Sequence, residues 1–393
     1  MNRTISDMIY ECQSLGISLL DNYKYNRREL IALLQNWYIK NDNIKMSWAL
    51  GQRLKIESPM LAYPFKHINK VDRDKLFQTN WIAERKYDGV RMLIFYHPDE
   101  GMKFFSRNLS VSNYLPIEYS NLYIKDNLSF DFSFILDAEI TPMDGECLDK
   151  TVSIIHSEQM DFSNLMLFNV FDCLHVKSTD IIYQPLAYRK SILGDILNNI
   201  KIQSKSPLQF IPSPYVSGDM AMSMYKEIVD GGGEGIILKN MFANYITNGS
   251  RVKNTQVKLK RSMVEALGKD IDVWISGFNP STIGKANENY IGSLKLSTYV
   301  KYPDGSESEH WIGTVSGIPD WMRQTLTSYL PDGTPTLNDK FIGNVITIDG
   351  QDVSSKELRF SHCRVEDWTT AMRVDKTKHD CIIPIEFLTS QIL

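Results

Sequence analysis

This chain has few features that would staple it or anchor it. Its 393 residues include only five cysteines (Cys12, Cys147, Cys173, Cys363 and Cys381), and no two of them form a Cys-x-x-Cys pair. That spacing argues against a four-cysteine zinc module and a disulfide framework, and points to reduced, mostly packed thiols. No apolar run approaches the roughly 18 residues of a membrane-spanning helix. The opening Met1-Asn2-Arg3-Thr4-Ile5-Ser6-Asp7 lacks the charged-then-apolar pattern of a signal peptide. An intracellular protein with no membrane attachment is expected. There is no Gly-x-Gly-x-x-Gly and no Walker loop, which disfavours Rossmann and P-loop nucleotide sites. Internal repeats and low-complexity segments are also missing. A net charge of −4, from 43 basic and 47 acidic residues, decides nothing about nucleic acid, because binding depends on where the basic residues cluster.

What the chain has is core-forming material, 43% hydrophobic residues over a length that suits two or three domains. Ile5 to Leu15 and Arg27 to Ile39 carry apolar residues at helical spacing, the second with Leu30, Ile31, Leu33, Leu34, Trp37 and Tyr38. A polar stretch from Asn41 to Lys45 leads to Glu57-Ser58-Pro59-Met60-Leu61-Ala62, where Pro59 marks a boundary. From Trp81 to Arg261 short strand-like runs dominate, with helices at Pro185–Ile200 and Asp219–Val229. The strands are Gly101–Ser106, Phe134–Ile140, Leu165–Leu174, Gly235–Lys239 and Thr255–Lys260. Strands joined by turns predict an α+β domain with largely antiparallel sheets. Beyond Gly268-Lys269, the runs Asp272–Gly277, Ile291–Tyr302, His310–Val315 and Phe341–Ile348 have the size of an OB-type barrel.

The chemistry centres on Ala83-Glu84-Arg85-Lys86-Tyr87-Asp88-Gly89-Val90-Arg91, a lysine in a turn between two strands. A lysine is a nucleophile only as the free amine, so cationic neighbours such as Arg85 and Arg91, or burial, would have to depress its pKa. Asp88 could accept a proton or hold a metal. Alone, Lys-x-Asp-Gly is a weak signal, and a surface lysine in a charged hairpin is its ordinary meaning. Further matches follow in order: Phe104-Phe105-Ser106-Arg107-Asn108, Phe134-Ile135-Leu136-Asp137-Ala138-Glu139-Ile140, and Leu167-Phe168-Asn169-Val170-Phe171-Asp172. Then come Gly231-Gly232-Gly233-Glu234-Gly235 running into Lys239, Gln256-Val257-Lys258-Leu259-Lys260, and Met372-Arg373-Val374-Asp375-Lys376. From Arg251 to Arg261 there are five basic residues and no acidic one.

This ordered series resembles the motifs of the covalent nucleotidyltransferases, and Ser58-Pro59-Met60-Leu61-Ala62 resembles the entrance to the adenylation domain of ATP-dependent DNA ligases in particular. The resemblance implies a lysyl-AMP on Lys86, with Asp88, Arg91, Arg373 and Lys376 catalytic. Glu84, Lys86, Arg91, Arg107, Glu139, Phe171, Lys258 and Lys260 would hold the nucleotide, Phe171 by stacking on the purine. Glu234 and Glu139 would bind Mg2+, and Arg107 would also contact the nick phosphate. The start of the chain resembles a SAP-type DNA-binding module, with Arg27 and Arg28 at a helix N-terminus, although a helical hairpin packed on the main domain fits the pattern as well.

Three domains are therefore expected: a helical module (1–50), an adenylation domain (51–268) and an OB-fold domain (269–393), with a hinge near Gly268-Lys269 that would let the barrel swing. The implied protein is a monomer that encircles nicked duplex DNA and uses ATP, in the cytoplasm or wherever the DNA lies, and encoded by a cell, a virus or a phage. NAD use is disfavoured without a four-cysteine zinc site. An RNA ligase or a GTP-using capping enzyme remains the alternative. Arg364-Val365-Glu366-Asp367 is a rival placement for the last motif.

Overall fold

The computed structural model describes residues 4–21, 23–56, 58–120, 122–123, 128–146, 148–156, 160–161, 166–203, 210–262, 267, 270–282, 287–350, 353–354, 357–360 and 363–390. Residues 268–269, the expected hinge, lie outside them, as does Cys147. The chain divides into two compact units, Met1–Lys226 with Ile236–Leu259, and Glu227–Gly235 with Lys260–Leu393.

The first unit is built on two sheets. The strand Val90–His97 is central to the larger one, pairing antiparallel with Gly101–Leu109 on one side and Phe134–Pro142 on the other. Its apolar run is unbroken because both faces are covered. Met92, Ile94 and Tyr96 join a core completed by Leu193, Ile196 and Ile200 of the helix Leu186–Gln203. Leu93 and Phe95 point the other way, into Ala49, Met60, Phe105 and Tyr245. Each such fully buried side chain contributes roughly 1.5–3 kcal/mol. The smaller sheet has Trp81–Arg85 between Tyr215–Ser217 and Gly235–Asn240, followed by Gln256–Lys260 and the short Tyr63–Pro64. The expected antiparallel bias holds for the long strands; parallel pairing is confined to short ones such as Tyr63–Pro64 on Gln256–Lys260.

The N-terminal helices Ile5–Ser14 and Arg27–Asn41 are both closed by capping boxes, from Thr4 with Asp7 and Asn26 with Glu29. They bury Met8, Cys12, Leu30 and Leu34 against one another and against Tyr114. Gln35 Nε2 donates to the Tyr114 carbonyl at 2.7 Å, and the Tyr114 hydroxyl donates to Glu11 at 2.9 Å. The hairpin is thus docked on the loop that follows Gly101–Leu109. A third helix, Trp48–Lys55, was not expected; the boundary after residue 50 falls inside it. Its Arg53 is completely buried, with carbonyl oxygens of Ile56, Ser106 and Arg107 as acceptors.

In the second unit Ile291–Lys301 lies between Glu307–Val315 and Ile271–Pro280, all antiparallel, with Val345–Ile348 on the far side of Ile271–Pro280. Ile271, Val273 and Ile275 face a core shared with Leu294, Leu296, Ile312 and Ile346. Alternation sends Asp272 and Trp274 to the opposite face. The last strand starts at Val345 rather than at Phe341, because Asp339–Phe341 forms a 3-10 turn and Gly343 adopts φ +85°.

Candidate active site

Lys86 opens the four-residue connection between Trp81–Arg85 and Val90–His97, and these strands belong to different sheets. The half-buried lysine therefore stands where the chain crosses from one sheet to the other. Gly89 is required by close approach: a Cβ there would sit 2.2 Å from the Ile140 carbonyl oxygen. Asp88 is held at both ends, its backbone N–H donating to Glu146 Oε2 at 3.2 Å and its carboxylate accepting from the Leu148 N–H at 3.3 Å. Arg85 pairs with Glu146 at 2.5 Å.

Arg91 is more deeply committed. It forms a fork with Asp137, Nε to Oδ1 at 2.9 Å and Nη2 to Oδ2 at 2.6 Å, and donates to the Met60 carbonyl at 2.7 Å. The Tyr245 hydroxyl donates to the same Asp137 at 2.5 Å. Burial works to lower the Arg91 pKa, but Asp137 and Tyr245 more than offset it and leave the guanidinium firmly charged. The two sequence-local arginines near Lys86 thus each bring a carboxylate with them.

Behind the turn lies a second buried knot. Glu84, 2% exposed, receives the ammonium of Lys239 at 2.7 Å on one oxygen and pairs with Lys190 through the other. Burial pushes the Lys239 pKa down, against the pull of Glu84. Lys239 Nζ lies 4.3 Å from the centroid of the half-buried Phe171 ring, and the Arg91 guanidinium lies 5.3 Å from it. An aromatic face bordered by cations suits a purine carrying phosphates. Next to Phe171, Asp172 forks onto Arg189 at 2.8 and 2.9 Å, so that segment of the following helix is anchored to the platform strand.

Glu139 is half-buried on Phe134–Pro142, in register with Arg91 on one neighbour and Asn169 on the other. Arg107 is exposed, and its carbonyl is held by Arg53 at 3.0 Å. Lys258 and Lys260 share a face of Gln256–Lys260. Lys260 pairs with Glu234, which is 6% exposed. The glycines before Glu234 close the helix Ala221–Asp230: Gly233 N–H donates to the Ile228 carbonyl, Gly232 N–H to that of Val229, and Gly232 has φ +86°. These glycines thus end the helix just before Glu234. Arg27 and Arg28 are exposed at the first helical positions after Asn26.

Within the second unit, Arg373 forks onto Asp375 at 3.0 and 2.9 Å and reaches Asp272 at 3.4 Å, while Lys376 pairs with Asp272 directly. They line a concavity of about 550 Å³ with Thr377, Lys378 and His379. The rival Arg364 pairs with Asp349.

Asp137, Tyr245, Lys190 and Asp272 carry no local signal as partners, since 108 positions separate Tyr245 from Asp137 and 104 separate Lys376 from Asp272. Among the described residues, no three His, Cys, Asp or Glu side chains converge on a metal position. No helix among them is long and apolar enough to cross a membrane.

Comparison with known proteins bears on this geometry. The family model of the ATP dependent DNA ligase domain matches residues 59–260, just over half of the chain. The DNA ligase of variola virus is 33% identical over 146 residues, 36% of this chain and 26% of that protein. The DNA ligase of Haloferax volcanii is 30% identical over 293 residues, 71% of this chain and 46% of its own length. The chain thus spans less than half of either relative. Among solved structures, one titled Pmar-Lig_PreS3 aligns over 87% of this chain and 72% of its own with a TM-score of 0.54 at 15% identity, a likeness of fold. With the motifs from Lys86 to Lys260 inside the matched region, the chain belongs to the ATP-dependent DNA ligase family.

Proposed function

We propose that this protein seals 5′-phosphate/3′-hydroxyl nicks in duplex DNA, acting as a monomer that encircles its substrate. In the first step Lys86 Nζ attacks the α-phosphorus of ATP, a P–N bond forms, and pyrophosphate leaves with the electrons of the broken P–O bond. The amine loses a proton in that step, and Asp88, two residues further along, is read as the acceptor. The AMP then passes to the 5′-phosphate of the nick, freeing Lys86, and the 3′-hydroxyl displaces it to make the phosphodiester. Each step transfers a phosphoryl centre, so fixed cations and position supply most of the acceleration.

Phe171 carries the adenine, with Glu84 behind it. Arg91, Lys258 and Lys260 face the phosphates, and Arg107 the ribose and the nick. Arg373 and Lys376 act on the leaving pyrophosphate in the first step only. Glu139 and Glu234 are each read as a carboxylate that would hold Mg2+, an ion that keeps several waters and asks for only one or two carboxylates; when bound it would neutralise phosphate oxygens. The antiparallel second unit is read as an OB-fold, and residues 1–50, 51–268 and 269–393 as DNA-binding, adenylation and OB domains.

The observation that carries this reading is the placement of Lys86 at the crossing of two sheets, in a unit whose Phe171 ring is bordered by Lys239 and Arg91. Incubation with labelled ATP or GTP, then with nicked DNA or RNA, tests it. Label transferred from ATP and sealing of DNA are expected; label from GTP alone, or sealing of RNA alone, overturns it.

A further inference from the structure

Lys376 is a flexible side chain on a loop, yet its ammonium is held. Asp272, with a side chain 6% exposed on the strand Ile271–Pro280, pairs with it. The carboxylate is fixed in turn: the Thr347 hydroxyl, on the paired strand, donates to Oδ1 at 2.7 Å, and Arg373 approaches the same oxygen at 3.4 Å. Arg373 has its own fork on Asp375, and Asp270 lies 3.6 Å from it. Asp272 is therefore the carboxylate paired with Lys376, whereas Arg373 has three acids around it. The Lys376 side chain remains 29% exposed, at the concavity that Lys378 and His379 also line.

An ammonium has three N–H donors and a long stem with much rotamer entropy. One donor spent on a rigid carboxylate leaves two directed outward, and the ordering cost is met before any anion arrives. We infer that Asp272 is a positioning residue: it holds the Lys376 ammonium so that its remaining donors meet an incoming polyphosphate. This rests on the first-step role proposed above for Lys376.

The test is a step-resolved mutant cycle on the full-length protein. Asp272→Asn keeps the size and one acceptor oxygen while removing the charge. It should slow lysyl-AMP formation by about 10- to 100-fold, the scale of a misplaced catalytic group. Sealing of a nick adenylated beforehand should keep its rate. In a Lys376→Ala background the same substitution should add nothing. Reductive methylation of Lys376, followed by peptide mass, should be faster in Asp272→Asn than in the parent. If Asp272→Asn fails to fold, Thr347→Val, which removes the 2.7 Å bond to Asp272 and the 3.4 Å bond that the same hydroxyl accepts from Arg373, is read in its place.

Equal slowing of both steps, a full additional loss in the Lys376→Ala background, or an unchanged methylation rate would each reduce Asp272 to a structural carboxylate and overturn the inference. Those results leave the role of Lys376 standing. Normal lysyl-AMP formation by Lys376→Ala alone removes the reading beneath it instead.

Discussion

The cationic groups of the two units are anchored in opposite ways. Around Lys86, apart from Arg85 on Glu146 at 35% exposed, they are sunk into closed networks: Arg91 on Asp137, Arg189 on Asp172, and Lys190 with Lys239 on Glu84, with every one of these side chains 14% exposed or less. In the second unit Arg373 and Lys376 are 23% and 29% exposed and lean on one shielded acid and on acids open to water. A buried pair cannot change partner without stranding a charge in low dielectric. A half-exposed pair can, since water compensates either state. The first arrangement suits a surface that must be identical at every encounter with a nucleotide; the second suits groups that grip an anion and let it go.

The sharpest break of that comparison is at Lys86. Lys86→Ala should abolish labelled protein–AMP, and Lys86→Arg should not restore it, because a guanidinium stays protonated. Label persisting on Lys239 or Lys258 by peptide mapping would move the nucleophile. Next in size, Asp172→Ala leaves Arg189 buried without its carboxylate and should cost about 3–5 kcal/mol of stability. A denaturant midpoint equal to the parent's would show that the pocket networks are no more committed than the outer ones.

Lys376→Ala should lose about 10- to 100-fold in lysyl-AMP formation with little change in stability and no change on a pre-adenylated nick, with Arg364→Ala as control. The opposite pattern assigns the motif to Arg364; failure of both variants on the pre-adenylated nick defeats the division of labour. The smallest effect is expected from Arg27→Ala with Arg28→Ala. Binding of nicked DNA should weaken a few-fold, and the slope of log affinity against log salt should fall by about 2 or less. Affinity equal to the parent's at several salt concentrations would leave the helical pair as packing on Tyr114.

How much of this was legible depended on range. The Lys86 turn was readable because both strands and the glycine lie within a few residues, and Phe134–Pro142 and Met166–Val176 were found within two residues of their ends. Trp48–Lys55 was missed because it follows the polar stretch from Asn41 to Lys45 closely and its one fully buried charged side chain, Arg53, reads as surface in any sequence pattern. The stretch from Pro185 to Lys190 announces a helix and no more, so neither Arg189 on Asp172 nor Lys190 on Glu84 shows in it. Both partners in such pairs are ordinary charged residues, and only the fold brings them together. At Gly231–Gly233 the glycines close a helix, a local role that glycine runs share with close approach to a ligand.

Gly89 has a consequence for anyone redesigning this chain. Its φ is not in the left-handed range, so by torsion angle alone it looks replaceable. The obstacle is lateral: the backbone of the neighbouring strand fills the space that a methyl group would need, as the Gln78 carbonyl does at Gly218, 2.3 Å from its absent Cβ. The reach of Lys86 is measured from that contact as from a ruler's end stop. A library that varies position 89 should therefore return glycine alone from a selection for sealing. Residues added to the connection on the Tyr87 side would lengthen the arm while leaving the stop in place.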